Sequence, residues 1–224
     1  MNFKYVGAVF AVLALGAAQP VYADTVTWAN LSSDNGLTNN LLGQVTGTIG
    51  SVGVTFSGDY AFDQLNNTGI NYWTNQTGPG GPYTPVLDAP TANSDIIALS
   101  DAGTGTITFS QPVQNVFIAF NSWNGAQASF SAPFTIISQG CGYWGCGTFG
   151  PPLTSTTFFG NGELVGVLEF QGPITSLSFS DSVSEYWHGI DIGISNSVPE
   201  PITLSLFGAG LVGAVAMRRR KKTA

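Results

Sequence analysis

Positive charge is missing from the central part of this chain. All six Lys and Arg residues lie near the two ends, at Lys4 and in the run 218–222. Residues 24–197 contain twelve of the thirteen acidic residues and a single His, which gives a net charge of −12 with the His neutral. Binding of nucleic acid depends on cations that neutralise phosphates. The composition therefore excludes nucleic acid as a partner, and it also excludes lysine Schiff-base chemistry and arginine clamps for phosphoryl groups.

Long apolar runs are also lacking. Residues 202–217 form an apolar segment of 16 residues, which would span roughly 24 Å as a helix. A bilayer core is about 30 Å thick, so this segment is a marginal membrane span whose flanking cations must reach the interface. The apolar segment 6–18 is shorter still.

The N-terminal end has the three parts of a secretory signal peptide. Lys4 supplies the charged region, residues 6–18 the apolar region, and Val21-Tyr22-Ala23 a cleavage site with small residues. We expect residues 1–23 to be removed between Ala23 and Asp24 and residues 24–197 to form one exported domain. Cleavage here predicts export by the general secretory route.

The C-terminal end, residues 198–224, also has three parts. Two prolines keep the motif Val198, Pro199, Glu200 and Pro201 extended and accessible to a protease. The apolar segment 202–217 follows, and a basic cluster then stops transfer on the cytoplasmic side. The members of this cluster are Arg218, Arg219, Arg220, Lys221 and Lys222.

This end closely resembles the PEP-CTERM sorting signal of Gram-negative bacteria, in its Pro-Glu-Pro motif, its apolar span and its arginine cluster. The resemblance implies transient anchoring in the inner membrane and cleavage by a membrane-embedded exosortase. It also implies a destination at the cell surface or in an extracellular polysaccharide matrix. It names no activity for the domain.

The domain itself shows repeated period-2 alternation and no sustained helical period. Leu177 and Phe179, for example, alternate with serines. The pattern predicts an all-β domain, an antiparallel β-sandwich of the jelly-roll or lectin-like type. The predicted strands are 25–28, 45–49, 52–57, 95–100, 105–110, 113–120, 134–138, 164–170, 174–180 and 189–194. We expect 95–100, 105–110 and 113–120 to form a meander and residues 63–90 to form a long loop.

The domain also resembles the exported domain of a group of PEP-CTERM proteins. The resemblance rests on the short motifs at 49–58, 93–99, 133–138 and 187–189. It implies a β-sandwich and no established chemistry.

The only two cysteines, Cys141 and Cys146, lie five positions apart among glycines. In an exported protein they should form a disulfide, which would hold Tyr143 and Trp144 at a tight tip. Two interpretations of this tip stay open. Its aromatic rings either present a platform to a sugar ring, or they pack back onto the sandwich. A zinc site is not expected, because the domain has one His and no second cysteine pair.

The predicted loops contain several large aromatic side chains on which a ligand could stack. They are Tyr72, Trp73, Tyr83, Tyr143 and Trp144. An exported, cation-free domain that displays such rings favours a non-catalytic surface or matrix protein that binds a neutral or cationic glycan. The alternative is an extracellular hydrolase of matrix polysaccharide, which needs two carboxylates about 5 to 10 Å apart. Glu163 and Glu169 are too distant along one strand to be that pair, roughly 20 Å.

Two further sets of polar residues have local interpretations. Asp59 with Asp63, and Asp181 with Glu185, are candidate oxygen ligands for a structural calcium ion, although no EF-hand spacing occurs. His188 precedes a predicted strand without a Gly-x-Ser-x-Gly motif, and we expect it to be structural. No catalytic residue and no cofactor other than this calcium is predicted.

Overall fold

The computed structural model describes residues 25–74, 83, 94–100 and 102–196 of the chain. These residues form only β-strands and their connections, so the prediction of an all-β fold is confirmed. The strands are β1 Thr25–Trp28, β2 Asn30–Asp34, β3 Gln44–Ile49, β4 Val52–Gly58, β5 Phe62–Gln64, β6 Ile96–Leu99, β7 Gly103–Trp123, β8 Gln127–Phe130, β9 Thr135–Gly140, β10 Gly147–Gly150, β11 Thr157–Gly162, β12 Leu164–Asp181 and β13 His188–Asn196. Within these ranges there is no helix long and apolar enough to cross a membrane.

All strand pairs are antiparallel, and two long strands connect the whole array. One half of β7 lies between β4 and β12, where Thr108 pairs with Thr55 and Ser176. The other half lies between β13 and β12, where Ile118 pairs with Ile192 and Leu168. The two long strands therefore take part in two sheets, in the manner of a β-sandwich.

The two sheets follow from these pairings. The first sheet has the order β2-β3-β4-β7-β12-β8-β11-β10 and uses the start of β7 and the end of β12. The second sheet has the order β9-β12-β7-β13 and uses the other halves of the long strands. Strands β1 and β6 both pair with the far side of β13, and β5 pairs with β6.

The main core lies between the two sheets. It combines Phe56 and Ile107 of the first sheet with Ile118, Phe120 and Ile192 of the second, all at most 2 % exposed. Burial of such side chains stabilises the fold by about 1.5 to 3 kcal/mol each. Because side chains alternate along a strand, Phe117 and Ala119 of β7 point to the opposite face.

That opposite face of the second sheet is buried as well. Phe117, Ala119 and Val167 pack there against Trp73 and Tyr83, in a second hydrophobic cluster. Trp73 and Tyr83, from the part of the chain before β6, therefore cover this face of the second sheet. The prediction of a long loop at 63–90 holds for residues 65–74 and 83 of the described chain, but here the loop closes a core.

Three local predictions were wrong. The predicted strand ends before Val113 and before Ile174 lie inside the single strands β7 and β12. The register of the β7–β12 ladder shifts between Gln171 and Ile174, which accommodates Pro173, and again between Ile174 and Ser176, opposite Pro112; where the pairing is interrupted, a proline needs no backbone N–H partner. The predicted meander is also absent, because β6 pairs with β13 and β5 instead of β7.

Candidate functional site

A surface cavity of about 310 Å³ lies at one end of the second sheet. Four parts of the chain meet there: the end of β7, the turn before β12, the segment before β13, and the tip between the two cysteines. Its lining residues are Ser122, Asn124, Trp144, Glu163, Glu185, Tyr186 and Trp187. The cavity combines aromatic rings with two carboxylates, the residue types that recognise polar ligands with apolar faces.

The aromatic wall of the cavity belongs to a larger cluster of rings. Trp144 stacks on Tyr72 with ring centroids 4.9 Å apart, and Trp187 lies 4.8 Å from Trp144 in an edge-to-face arrangement. Tyr143 contacts both Tyr72 and Trp144 at 5.2 and 4.6 Å. The rings hold each other in place, yet Trp144 stays 43 % exposed and Tyr186 is 92 % exposed. The cavity therefore exposes the ring of Trp144, which its neighbours hold in place, together with the ring of Tyr186.

The short loop that carries Trp144 is stapled as predicted. Cys141 and Cys146 form a disulfide and an isolated β-bridge. Inside the ring, the backbone N–H of Gly142 donates to the carbonyl of Gly145 at 2.8 Å, which closes a tight turn. A Cβ at Gly142 would lie 2.8 Å from Val165, so a side chain there would push the turn off the second sheet. Tyr143 is half-buried and Trp144 is exposed, so the sugar platform stays a prediction.

Glu163 is held by neutral donors at the end of β7. The hydroxyl of Ser122 donates to Glu163 Oε2, and Asn124 Nδ2 donates to Glu163 Oε1 at 3.1 Å. Ser122 adopts a left-handed backbone conformation with φ of 60°, which is uncommon for residues other than glycine. The irregular pairing between β7 and the start of β12 permits this conformation and turns Ser122 toward the carboxylate.

Glu185, on the opposite side of the cavity, is linked to the buried His188. The imidazole is fully buried beside the ring of Trp123, with centroids 3.9 Å apart. Its Nε2 is 2.8 Å from Asp181 Oδ2 in a poorly aligned contact, and its Nδ1 is 3.8 Å from Glu185 Oε1. Burial lowers the pKa of His188, but hydrogen bonding and the charges of Asp181 and Glu185 outweigh burial, so the pKa is raised overall.

Two of the five predicted platform residues are not available to a ligand. Trp73 and Tyr83 are each 1 % exposed in the second hydrophobic cluster. Trp73 Nε1 donates to the carbonyl of Asp95 at 3.0 Å, and the Tyr83 hydroxyl donates to the carbonyl of Phe120 at 2.9 Å. The reason is the apolar outer face of the second sheet, which these rings cover. Their role as a ligand platform is therefore corrected to a structural one.

The predicted calcium ligands are distributed over three places. Asp181 and Glu185 flank His188, as described above. Asp63 interacts with Asp34; burial and this neighbour raise its pKa to about 6. Asp59 lines a small cavity that it shares with Asp181. Within the described ranges, no three His, Cys, Asp or Glu side chains come together as a metal site. The calcium prediction stays a prediction.

Sequence reasoning missed two walls of the cavity, Tyr186 and Trp187. It rejected Glu163 and Glu169 as a pair and named no other partner for Glu163, whereas the fold brings Glu163 into one cavity with Glu185. The run Glu185-Tyr186-Trp187 before His188 was a signal in the sequence. Two large aromatic residues next to a carboxylate are unusual in a simple connection between strands. Which other segment this run would meet depended on the strand order.

The predicted sorting residues lie outside the described residues. These are the signal cleavage site at Ala23 and Asp24, the motif Val198, Pro199, Glu200 and Pro201, and the cluster Arg218, Arg219, Arg220, Lys221 and Lys222. No curated protein and no solved structure matches the chain. A family model described as the PEP-CTERM protein-sorting motif matches residues 197–221. Such a motif indicates an exported protein that is sorted by an exosortase, a membrane protein. The chain therefore carries a PEP-CTERM sorting motif, directly after an all-β domain.

Proposed function

We propose that the β-domain is a non-catalytic component of the cell surface or extracellular matrix of a Gram-negative bacterium, and that it binds glycan in the aromatic-walled cavity. The observation that carries this proposal is that aromatic and polar side chains line the same cavity. The aromatic ones are Trp144, Tyr186 and Trp187, and the polar ones include Glu163, Glu185 and Asn124. Sorting through the PEP-CTERM motif brings the domain to a place where extracellular polysaccharide is the abundant polymer.

The two kinds of lining residue match the two sides of a sugar ring. The apolar C–H face of a pyranose packs on an indole or phenol ring, and its hydroxyls donate to carboxylates and amides. Trp144 and Tyr186 are exposed enough to receive such a ring. Glu163 is already oriented by Ser122 and Asn124, so less conformational entropy is lost when a ligand binds.

Single-site affinity should be low. Apolar contact contributes about 25 cal/mol per Å² before the costs of association are subtracted, so one sugar on one platform gives weak, sub-millimolar to millimolar binding. Many copies of the domain along one polymer would raise the effective affinity strongly. Weak sites in many copies fit a matrix component.

The test is a glycan array probed with the exported protein, with and without EDTA, and repeated for Trp144→Ala. We expect binding to neutral or cationic glycans that Trp144→Ala reduces at least about tenfold, because stacking area is lost. Leu41→Ala is the matched control, since Leu41 is an exposed apolar side chain outside the cavity. No binding to any neutral or cationic glycan would reject the proposal. Loss of binding in EDTA alone would show that a calcium ion takes part.

A second candidate function is hydrolysis of matrix polysaccharide. The observation that favours it is the presence of Glu163 and Glu185 in the same cavity, as a carboxylate pair requires. Release of reducing ends from a polymer, abolished in Glu163→Gln and retained in Glu169→Gln, would establish it. Binding without such release leaves the non-catalytic function.

A further inference from the structure

We propose that the cavity selects glycans with free amino groups, so that the bound sugar carries an ammonium group beside Glu163. This inference rests on the proposed function and narrows it from neutral or cationic glycans to one class. The ligand would be a de-N-acetylated amino sugar, as a unit of a partly deacetylated polymer.

The cavity is acidic and holds no cation of the domain beside Glu163. Among the described residues, Glu163 receives its side-chain hydrogen bonds from the neutral groups of Ser122 and Asn124. Residues 24–197 contain no Lys or Arg, so no cationic side chain of the domain can lie against this carboxylate except His188. His188 is fully buried between Asp181 and Glu185 and is not among the lining residues. The side chains of the domain therefore leave Glu163 available to a cation of the ligand.

Aromatic rings line the same cavity as the carboxylate. Trp144 and Trp187 line the same cavity as Glu163 and are held edge to face at 4.8 Å. An ammonium group gains both from a carboxylate and from the negative face of an indole ring. An N-acetyl group can donate its N–H to the carboxylate and pack its methyl on a ring, but it has no charge and so lacks the electrostatic attraction to both. The carboxylate and the indole rings together therefore favour an amino sugar over its acetylated form.

The negative charge of the domain disfavours anionic ligands. The domain carries a net charge of −12 with His188 neutral, so a polymer of uronic acids or sulfated sugars is repelled. Amino sugars are attracted by the same field, and screening by salt weakens the attraction. The preference should therefore decrease at high ionic strength, whereas stacking of a neutral sugar would not.

A matched pair of ligands tests the inference. A tetramer of β-1,4-linked glucosamine and its fully N-acetylated counterpart have the same rings, linkage and length. We expect the exported protein to bind the amino tetramer about five- to tenfold more tightly in titration calorimetry at low salt. Glu163→Gln should remove most of this preference. The amide keeps one acceptor oxygen for Asn124 and offers an N–H to the hydroxyl oxygen of Ser122. Glu169→Gln is the control, because it removes the same charge roughly 20 Å away along β12.

The outcomes separate this inference from the function on which it rests. Equal binding of the two tetramers, or an unchanged preference in Glu163→Gln with a wild-type thermal midpoint, overturns the inference and leaves glycan binding intact. Binding of neither tetramer also overturns it, and the array then decides the broader proposal. A lysine-containing tetrapeptide is included as a third ligand. If it binds as tightly as the amino tetramer, the site recognises ammonium groups without regard to sugar, and the assignment to amino sugars fails.

Discussion

At the scale of single residues, Trp73 and Trp144 show how differently two similar side chains are used. Trp73 is buried against the outer face of the second sheet and donates a hydrogen bond to the carbonyl of Asp95, whereas Trp144 is 43 % exposed beside the cavity. We expect Trp73→Ala to lower the free energy of unfolding by about 3 to 5 kcal/mol. Trp144→Ala should lower it by at most about 1.5 kcal/mol, because only ring contacts are lost. Urea unfolding of both variants measures the difference, and similar losses would contradict it.

Asp191 predicts a second effect, on the pH dependence of stability. The carboxyl is fully buried in β13 and accepts a hydrogen bond from Ile192 at 2.7 Å. Burial raises its pKa well above the usual range, and the charge of Asp95 adds to the shift. The folded state therefore keeps a proton that the unfolded chain releases above about pH 4, so this group's contribution to stability is lost as the pH rises above that value.

The substitution Asp191→Asn keeps a neutral side chain at every pH. We expect it to raise the free energy of unfolding at pH 7 by about 1 to 3 kcal/mol, and to change it little below about pH 4, where the native carboxyl is protonated in both states. The urea midpoints of variant and wild type at the two pH values test this. A larger gain at the acidic pH would show that the sign is wrong.

At the scale of elements, the disulfide-stapled turn connects stability to the site. The ring closed by Cys141 and Cys146 is short, so the variant Cys141→Ser with Cys146→Ser should lose at most about 2 to 3 kcal/mol of stability. Glycan binding should fall more than stability, because Trp144 is then held less firmly. Thermal unfolding and calorimetric titration give the two values. Free thiols in the folded exported protein would contradict the disulfide itself.

The elements also show what the sequence can and cannot predict. Period-2 alternation located most strands within a few residues, because alternation records which face is buried. This prediction failed at Pro112, because the proline is tolerated at an irregularity in the pairing of β7 with β12. The outer face of the second sheet, which Trp73 covers, had a signal in the sequence. The apolar run Val116 to Phe120 has no polar face, which is typical of a strand that is covered on both sides.

The cavity was beyond such reasoning for a geometric cause. Glu163 precedes β12 and Glu185 follows it, and the pairing of β7 with both β12 and β13 brings the two residues to one end of the second sheet. No spacing in the sequence encodes that pairing. The aromatic tip was predictable, since its residues are local to the two cysteines, whereas its partners Tyr72 and Trp187 come from distant segments.

At the scale of the whole molecule, the sorting motif at 197–221 predicts how the chain is processed. We expect the extracellular form to end near Pro199-Glu200-Pro201, after release from the inner membrane. Intact-mass analysis of protein from the extracellular fraction measures the two ends. Met217 and the arginine cluster still attached outside the cell would contradict cleavage at this motif. An N-terminus at Asp24 would confirm the signal cleavage site.

The sharing of β7 and β12 between the two sheets has a consequence for how the domain reaches its folded state. Gly103 pairs with Asp181 across 78 positions of chain, so neither sheet is complete until the whole of β12 is present. Proteins dominated by such distant pairings fold slowly, over milliseconds to seconds. A chain that crosses the membrane from its N-terminus would expose the unpaired edges of β7 until β12 follows. The domain should then form in one cooperative step on the far side, and the most protected amides of β7 and β12 should report one common free energy of opening in hydrogen exchange.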